Sequence, residues 1–115
     1  MSNKVFVVSN GGHDYSDAAR FGEVVFCTDQ LIRKDDIAQM YRVLSDALKH
    51  AGPSDYLLVG SLTSLCVVAS AILADRFGEV HLLVYENGKY IPRDLILESQ
   101  QQYTTEKLDG SVSHN

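Results

Sequence analysis

The chain has 115 residues, 45% of them hydrophobic and 22% charged, which is typical of one globular domain and not of a disordered or fibrous protein. Its formal net charge of −5 argues against a long nucleic-acid duplex as partner, because neutralising a duplex requires a broad basic surface. A small anionic ligand is compatible with this charge, since it needs only a few cationic groups and backbone N–H donors.

Neither the cysteines nor the apolar stretches indicate a metal site, a secreted protein or a membrane protein. Cys27 and Cys66 lie within apolar runs and are expected to be reduced core thiols. The N-terminal residues lack the charged start and long apolar run of a signal peptide, and the apolar stretch 65–74 is too short to cross a bilayer. We therefore expect a cytoplasmic protein with no metal, no cofactor and no membrane partner.

The first half of the chain predicts two strands and two helices. The apolar run 4–8 indicates a buried strand, residues 16–22 a short helix whose first residue caps it, and residues 23–27 a second strand. Residues 35–51 predict a long helix, because its apolar residues recur at spacings of three and four and so form one stripe. The members of this stripe are Ile37, Met40, Tyr41, Leu44, Ala47 and Leu48.

The second half predicts a strand, a helix and a hairpin. Residues 56–59 indicate a third strand, and residues 64–77 a second long helix that is apolar on most of its circumference and therefore largely buried. Residues 80–85 form a fourth strand, which the strong hairpin signal Asn87-Gly88 joins to a short return strand that ends at Pro92.

This order of elements predicts an α/β fold: a small open mostly parallel sheet with two long helices packed on it and a C-terminal β-hairpin. We assign residues 1–98 to a single α/β nucleotide-binding domain and residues 99–115 to a polar C-terminal tail, in which residues 100–107 are a candidate helix or arm.

Two loops at strand ends form the candidate site, because ligands of open α/β sheets collect at the carboxyl ends of the strands. Right-handed crossovers place the turns after the first and third strands on the same edge. The first loop contains Asn10, Gly11, Gly12, His13 and Tyr15, and its two glycines let backbone N–H groups approach a phosphate. The alternative is a plain surface turn.

The second loop contains Gly60, Ser61, Leu62 and Thr63 and leads directly into the second long helix. The unpaired N–H groups at a helix start form a natural anion site, to which the two hydroxyls can add donors. The alternative is simple N-capping by Ser61 or Thr63. Neither loop matches a Walker A or GxGxxG pattern, so the signal comes from the two loops together.

Candidate charged groups lie outside these loops. Arg33 follows the second strand and Arg93 follows the hairpin, and a guanidinium can give a phosphate two hydrogen bonds, although a solvated surface arginine is the alternative for both. His13 and Asp14 invite a general-base interpretation, but side chains adjacent in sequence tend to diverge, so we expect no catalytic residue.

Three segments resemble a phage family, the Thoeris anti-defence proteins of the first type. They are residues 7–23 (VVSNGGHDYSDAARFGE), residues 55–63 (DYLLVGSLT) and the residues VHLLVY and YIPR within 80–93. The resemblance covers most of residues 4–95 and leaves the tail unassigned.

The resemblance implies a sponge, not an enzyme, that binds a cyclic ADP-ribose isomer made by a bacterial immune TIR enzyme and sequesters it intact in the host cytoplasm. It also implies homo-oligomers, from dimers to hexamers, with pockets shared between protomers and, in some members, a separate site for cyclic oligonucleotides. Arg93 is the best carried-over ligand residue, and His81 stands where an amide side chain is expected.

Two other functions stay open at this point. One is a small nucleotide-processing enzyme of the ADP-ribose hydrolase type, with His13 and Asp14 near the reacting atom. The other is a structural or regulatory interaction domain that binds no small ligand.

Overall fold

The computed structural model describes residues 3–29, 32–33, 35–60 and 62–97, so Ser61 and the tail from Ser99 onward lie outside the described residues. The described part contains a short 3₁₀ helix, called here the 3₁₀ segment, two α-helices and five strands. In chain order they are β1 (Lys4–Ser9), the 3₁₀ segment (Ser16–Phe21), β2 (Glu23–Thr28), α1 (Ile37–Ala47), β3 (Tyr56–Leu58), α2 (Thr63–Phe77), β4 (Glu79–Glu86) and β5 (Lys89–Ile96).

The five strands form one open sheet in the order β2-β1-β3-β4-β5. The first four strands are parallel, and β5 pairs with β4 as an antiparallel hairpin around Asn87-Gly88. The predicted fold class, a mostly parallel sheet with two long helices and a C-terminal hairpin, is therefore confirmed.

The alternation of side chains along β1 divides the core into two layers. Phe6 and Val8 face the two α-helices and pack in one cluster with residues such as Leu44 and Leu73. We call this side the helix face. Val5 and Val7 point to the opposite side, the open face, where the 3₁₀ segment alone of the described helices covers the sheet and contributes Ala18 to a smaller cluster.

Each α-helix is more exposed than its sequence predicts. Helix α1 begins after Asp36, whose side chain accepts a hydrogen bond from the Gln39 N–H at 3.0 Å, and it buries Met40 while leaving Tyr41 58% exposed. Helix α2 is apolar on most sides, yet Val67 is 62% exposed. The prediction of a largely buried α2 is therefore wrong on its outer side, because only one layer of the protomer packs on it.

None of the described helices combines the length and the apolar content that a bilayer crossing requires.

The return strand continues past Pro92, where the sequence predicts its end. In β5, Pro92 pairs with Leu83, and the strand runs on to Ile96. This is possible because β5 is the edge strand of the sheet, and a residue without an N–H group is tolerated at an edge.

Candidate functional site

The carboxyl ends of β1 and β3 enclose a crevice at the point where the strand order reverses. The chain leaves β1 toward β2 on one side, whereas β3 lies on the other side of β1. The loops after β1 and β3 therefore diverge, which is the arrangement where doubly wound sheets bind ligands. The crevice is lined by Val7, Val8, Ser9, Gly11, Tyr15, Leu58, Gly60 and Leu62. The two predicted loops thus meet at one edge of the sheet, as the crossover rule predicts.

In one chain this crevice is small. Its volume is about 10 Å³, which is room for one water molecule. Small-molecule sites usually enclose ~300–1,000 Å³. A nucleotide bound here needs an additional wall or a movement of one loop.

The glycine loop is closed by its own side chains. The Gly11 N–H donates to the Tyr15 hydroxyl at 3.2 Å, and the Gly12 N–H donates to Asn10 Oδ1 at 3.0 Å. Gly12 adopts a φ of +82°, a conformation that glycine accommodates readily. An anion that binds these two amides has to compete with the Tyr15 hydroxyl and the Asn10 side chain.

Three aromatic rings form a row beside this loop. The His13 ring lies edge-on to Tyr15 with centroids 6.2 Å apart, and Tyr15 lies edge-on to Phe26 of β2 at 5.5 Å. Phe26 is 42% exposed. Sequence reasoning missed Phe26 because the run in β2 reads as a buried strand, although the alternation of side chains along an edge strand was an available signal. Such a row can receive the ring of a base.

Asp14 holds the start of the 3₁₀ segment and is not paired with His13. Its Oδ1 atom accepts a hydrogen bond from the Ser16 N–H at 2.9 Å. This backbone bond, together with the Ser16 side chain, lowers the pKa of Asp14. The N-cap position is held by Tyr15, so Ser16 does not cap the segment as the sequence predicts, and Asp14 forms an Asx turn just before it. Among the hydrogen bonds of the described residues, none joins His13 to Asp14, and His13 is exposed.

The N-terminus of α2 opens onto the same edge, and none of the described side chains caps it. Leu62 occupies the N-cap position and Thr63 is the first helical residue, so Thr63 does not cap the helix; Ser61 lies outside the described residues. The Leu62 carbonyl accepts the Cys66 N–H at 3.0 Å and starts the helical ladder. Uncapped N–H groups in a first turn carry the positive end of the helix dipole and favour anions.

The two candidate arginines are engaged elsewhere. Arg33 contacts both carboxylate oxygens of Asp35 at 3.2 and 3.0 Å on the exposed surface. Arg93 donates to the Pro92 carbonyl at 3.1 Å and to Glu86 Oε1 at 3.2 Å. Neither lines the crevice.

His81 lies on the other side of the sheet from Arg93. In the hairpin, His81 pairs with Asp94 and Leu82 pairs with Arg93, so alternation places Arg93 on the helix face and His81 on the open face. His81 Nδ1 lies 2.8 Å from Asp94 Oδ1, and His81 Nε2 lies 3.8 Å from Glu79 Oε1. The structure does not bring His81 and Arg93 together within one chain.

A hydrogen-bond network joins the hairpin to the 3₁₀ segment behind the crevice. Asp17 Oδ2 accepts the Tyr90 N–H at 2.7 Å, and Arg20 donates to the Tyr90 carbonyl at 2.8 Å and to Asp17 at 3.2 Å. The Tyr90 N–H is the main reason that the pKa of Asp17 is lowered. The Arg20 guanidinium also lies over the Phe21 ring, 4.2 Å from its centroid. This network fixes the backbone that follows the glycine loop.

Comparison with protein families matches most of the chain to a phage family. The family model described as "Phage Pam3 gp32-like protein" matches residues 3–97, a segment that includes both loops, the crevice and the hairpin. No curated protein and no solved structure matches the chain.

Proposed function

The chain belongs to the phage Pam3 gp32-like family, and from this premise we propose that it is a phage accessory protein that binds a small cyclic nucleotide, a cyclic ADP-ribose isomer, and sequesters it intact. By keeping the signal bound, the protein would prevent it from activating the effector of Thoeris immunity. The observation that carries the proposal is the crevice between β1 and β3, where the glycine loop meets the N-terminus of α2, which no described side chain caps. The phage family and the resemblance to Thoeris anti-defence proteins both support this function.

The crevice offers two kinds of group that suit a nucleotide. The first-turn N–H groups of α2 and the Thr63 hydroxyl favour a pyrophosphate. The rings of His13, Tyr15 and Phe26 offer apolar surface and ring edges to a base a short distance away. A ligand that combines phosphates with a base can use both kinds of group at once.

We propose that the protein does not cleave this ligand. A sponge requires affinity without bond cleavage, and Asp14, the partner that His13 would need as an acid/base pair, is committed to the Ser16 N–H. This commitment favours the sponge over an ADP-ribose-type hydrolase that uses His13 and Asp14.

The size of the crevice supports an assembly of several chains. A volume of about 10 Å³ cannot enclose a dinucleotide-sized ligand in one chain. We propose a homo-oligomer, from dimer to hexamer, in which a second copy supplies the missing wall. In such an assembly, groups that are far from the crevice in their own chain, such as Arg93 and His81, are available to the site of a neighbour.

The decisive experiment identifies what the protein retains. The purified chain is incubated with an extract containing the activated immune TIR enzyme, washed, and heated, and the released small molecules are identified by mass spectrometry. We expect an intact cyclic ADP-ribose isomer. Recovery of a hydrolysed product would favour the enzyme, and recovery of no nucleotide would favour an interaction domain.

A negative charge added at the start of α2 tests ligand binding without destabilising the fold. We expect Thr63→Asp to leave the melting temperature unchanged or raised, because an acidic residue in the first turn suits the helix dipole. The same carboxylate should weaken ligand binding about tenfold or more, because like charges ~5 Å apart repel by a few kcal/mol at an effective dielectric constant of ~20.

Ser54→Asp is the matched control for this variant. It adds the same charge at an exposed position before β3, at the opposite edge of the sheet, and should leave the affinity unchanged. Equal affinity of Thr63→Asp and Ser54→Asp in a calorimetric titration would show that the N-terminus of α2 does not bind the ligand.

A further inference from the structure

Helices α1 and α2 share an outer face that is apolar but uncovered in one chain. Val67 on α2 is 62% exposed, and Ile37 and Tyr41 on α1 are 52% and 58% exposed. Exposed apolar groups that lie next to one another, unlike single scattered ones, mark an interaction surface. A helix that is apolar on most sides, as α2 is, is normally packed on most sides.

These residues surround a groove between the two helices, which we call the α1/α2 groove. Its volume is about 730 Å³, far larger than the crevice at the carboxyl edge. The large side chains of Ile37, Tyr41 and Val67 and the small residues Ala38 and Ala71 all contribute to its lining. The face therefore carries both projecting groups and depressions that can receive them.

The charges of the groove exclude several kinds of partner. Among the described residues that line it, the charged ones are Asp75 and Arg76, both near the C-terminal end of α2, and the aromatic one is Tyr41. Arg76 is partly committed, because its Nη1 atom donates to the Leu48 carbonyl at 2.6 Å. The described part of the lining has neither the basic rim that anionic lipids bind nor the excess charge that a strongly charged peptide requires.

We propose that the occupant of the α1/α2 groove is the same groove of a second copy of this chain. A twofold contact requires one surface to be complementary to itself in shape and charge. The described lining meets this requirement, because it carries projections and depressions together and the formal charges of Asp75 and Arg76 cancel. A neutral face is also where two chains of net charge −5 can approach with the least repulsion.

The geometry of the helices suits such a contact. Helices α1 and α2 follow β2 and β3, two strands of the parallel part of the sheet, so they run in the same direction and pack side by side. A twofold axis across the groove places two such pairs face to face and forms a four-helix layer between two sheets. In this layer Val67, Ile37 and Tyr41 become buried, and α2 is packed on both sides.

The inference deepens the proposed function, on which it rests for its biological purpose, by naming the surface through which a first pair of sponge subunits associates. The proposed contact is formed by the helices alone and involves no ligand. The experiment therefore measures assembly without ligand, so that the dimer proposal and the ligand-binding proposal are tested independently.

The test is the mass of the 115-residue chain in sedimentation equilibrium, from roughly 1 to 200 μM, a range that resolves micromolar dissociation constants. We expect a mass of at least twice the 12.7 kDa of one chain. Val67→Glu and Tyr41→Glu should each weaken the twofold contact at least a hundredfold, because each buries a carboxylate without a partner. Circular dichroism checks that each variant is folded.

Tyr85→Glu is the control, because Tyr85 is 59% exposed in the hairpin, outside the groove, and its change should leave the mass unaltered. A monomer at every concentration, or an oligomer that both groove variants leave intact, would overturn the proposal. If the full chain is a monomer and the chain ending at Leu97 is a dimer, the tail occupies the groove and the proposal is equally wrong.

Discussion

The hydroxyl of Tyr15 accepts the Gly11 N–H at 3.2 Å and so holds one of the two amides that the sequence offers to a phosphate. The same ring lies against Phe26, which keeps the hydroxyl in place. The free protein therefore fills its own anion site with a tyrosine. A ligand that reaches Gly11 has to displace that hydroxyl.

We predict that Tyr15→Phe lowers the free energy of unfolding by about 0.5–1 kcal/mol, because one hydrogen bond at the surface is lost while the ring contact remains. Ligand affinity should rise, since the Gly11 amide is then free. Chemical denaturation and calorimetric titration measure the two effects. Tyr85→Phe is the control and should change neither; a loss of affinity in Tyr15→Phe would mean that the hydroxyl itself contacts the ligand.

We predict that Gly22→Ala lowers the free energy of unfolding by about 2–4 kcal/mol, a large value for a surface turn. Gly22 has a φ of +155°, and a Cβ atom there would collide with the Asn3 carbonyl, which accepts the Glu23 N–H where β1 and β2 begin to pair. Gly88→Ala is the matched control, with a φ of +85° and no heavy atom within 4 Å of the added Cβ. It should cost only the backbone strain of roughly 1–2 kcal/mol. Equal costs in thermal unfolding would show that the Asn3 contact is unimportant.

We predict that Asp17→Asn loses part of its destabilising effect in acid. The pKa of Asp17 lies below its ordinary value of 3.8 in the folded chain, chiefly because its carboxylate accepts the Tyr90 N–H. A carboxylate whose pKa is lower in the folded than in the unfolded chain stabilises the fold at any pH above its unfolded pKa. This stabilisation is lost as the pH falls through its folded pKa.

The measurement for Asp17 is the melting temperature of both proteins between pH 7 and pH 2. The difference in melting temperature between the original chain and Asp17→Asn should have its largest value at pH 5 and above and should decrease below about pH 4. Asp46→Asn serves as the reference, because this carboxylate binds only the exposed Lys49 among its described contacts and its removal should matter little at any pH. A gap that is independent of pH would contradict the assignment.

We predict that both cysteines resist alkylation in the folded protein at pH 8. Burial, helped by the neighbouring Cys66, raises the pKa of the Cys27 thiol to about 12, so the reactive thiolate is scarce, and Cys66 is itself buried. Iodoacetamide followed by intact-mass measurement should show no adduct before unfolding and two adducts in denaturant. The exposed Tyr85→Cys variant should gain one adduct at once, and rapid labelling of the original chain would contradict the raised pKa of the half-buried Cys27.

Much of the fold could be predicted because it is encoded locally. The apolar run of β1 and the Asn87-Gly88 turn depend on residues adjacent in sequence, and both were predicted correctly. The end at Pro92 was not, because a strand tolerates proline only at an edge, and the position of β5 in the sheet depends on the whole topology. The exposure of Tyr41 was missed for a related reason, since periodicity identifies an apolar stripe but does not show how much of that stripe the rest of the chain buries.

The site could be predicted at the level of loops but not of atoms. Connection rules place the loops of Gly11 and Gly60 on one edge, and they meet there. The partners of the loop amides depend on the directions of the Tyr15 and Asn10 side chains, which no pattern specifies. The separation of His81 from Arg93 was in principle predictable, because a two-residue turn fixes the register of the hairpin.

The bond between Asp17 and Tyr90 joins residues 73 positions apart and has a consequence for dynamics. The strand that completes the sheet also anchors the turn behind the crevice, so opening of the hairpin and loosening of that turn form one cooperative event. Amide protons on both sides of the bond should therefore exchange with solvent at a common rate. A molecule bound in the crevice should slow that rate at Tyr90 without touching it.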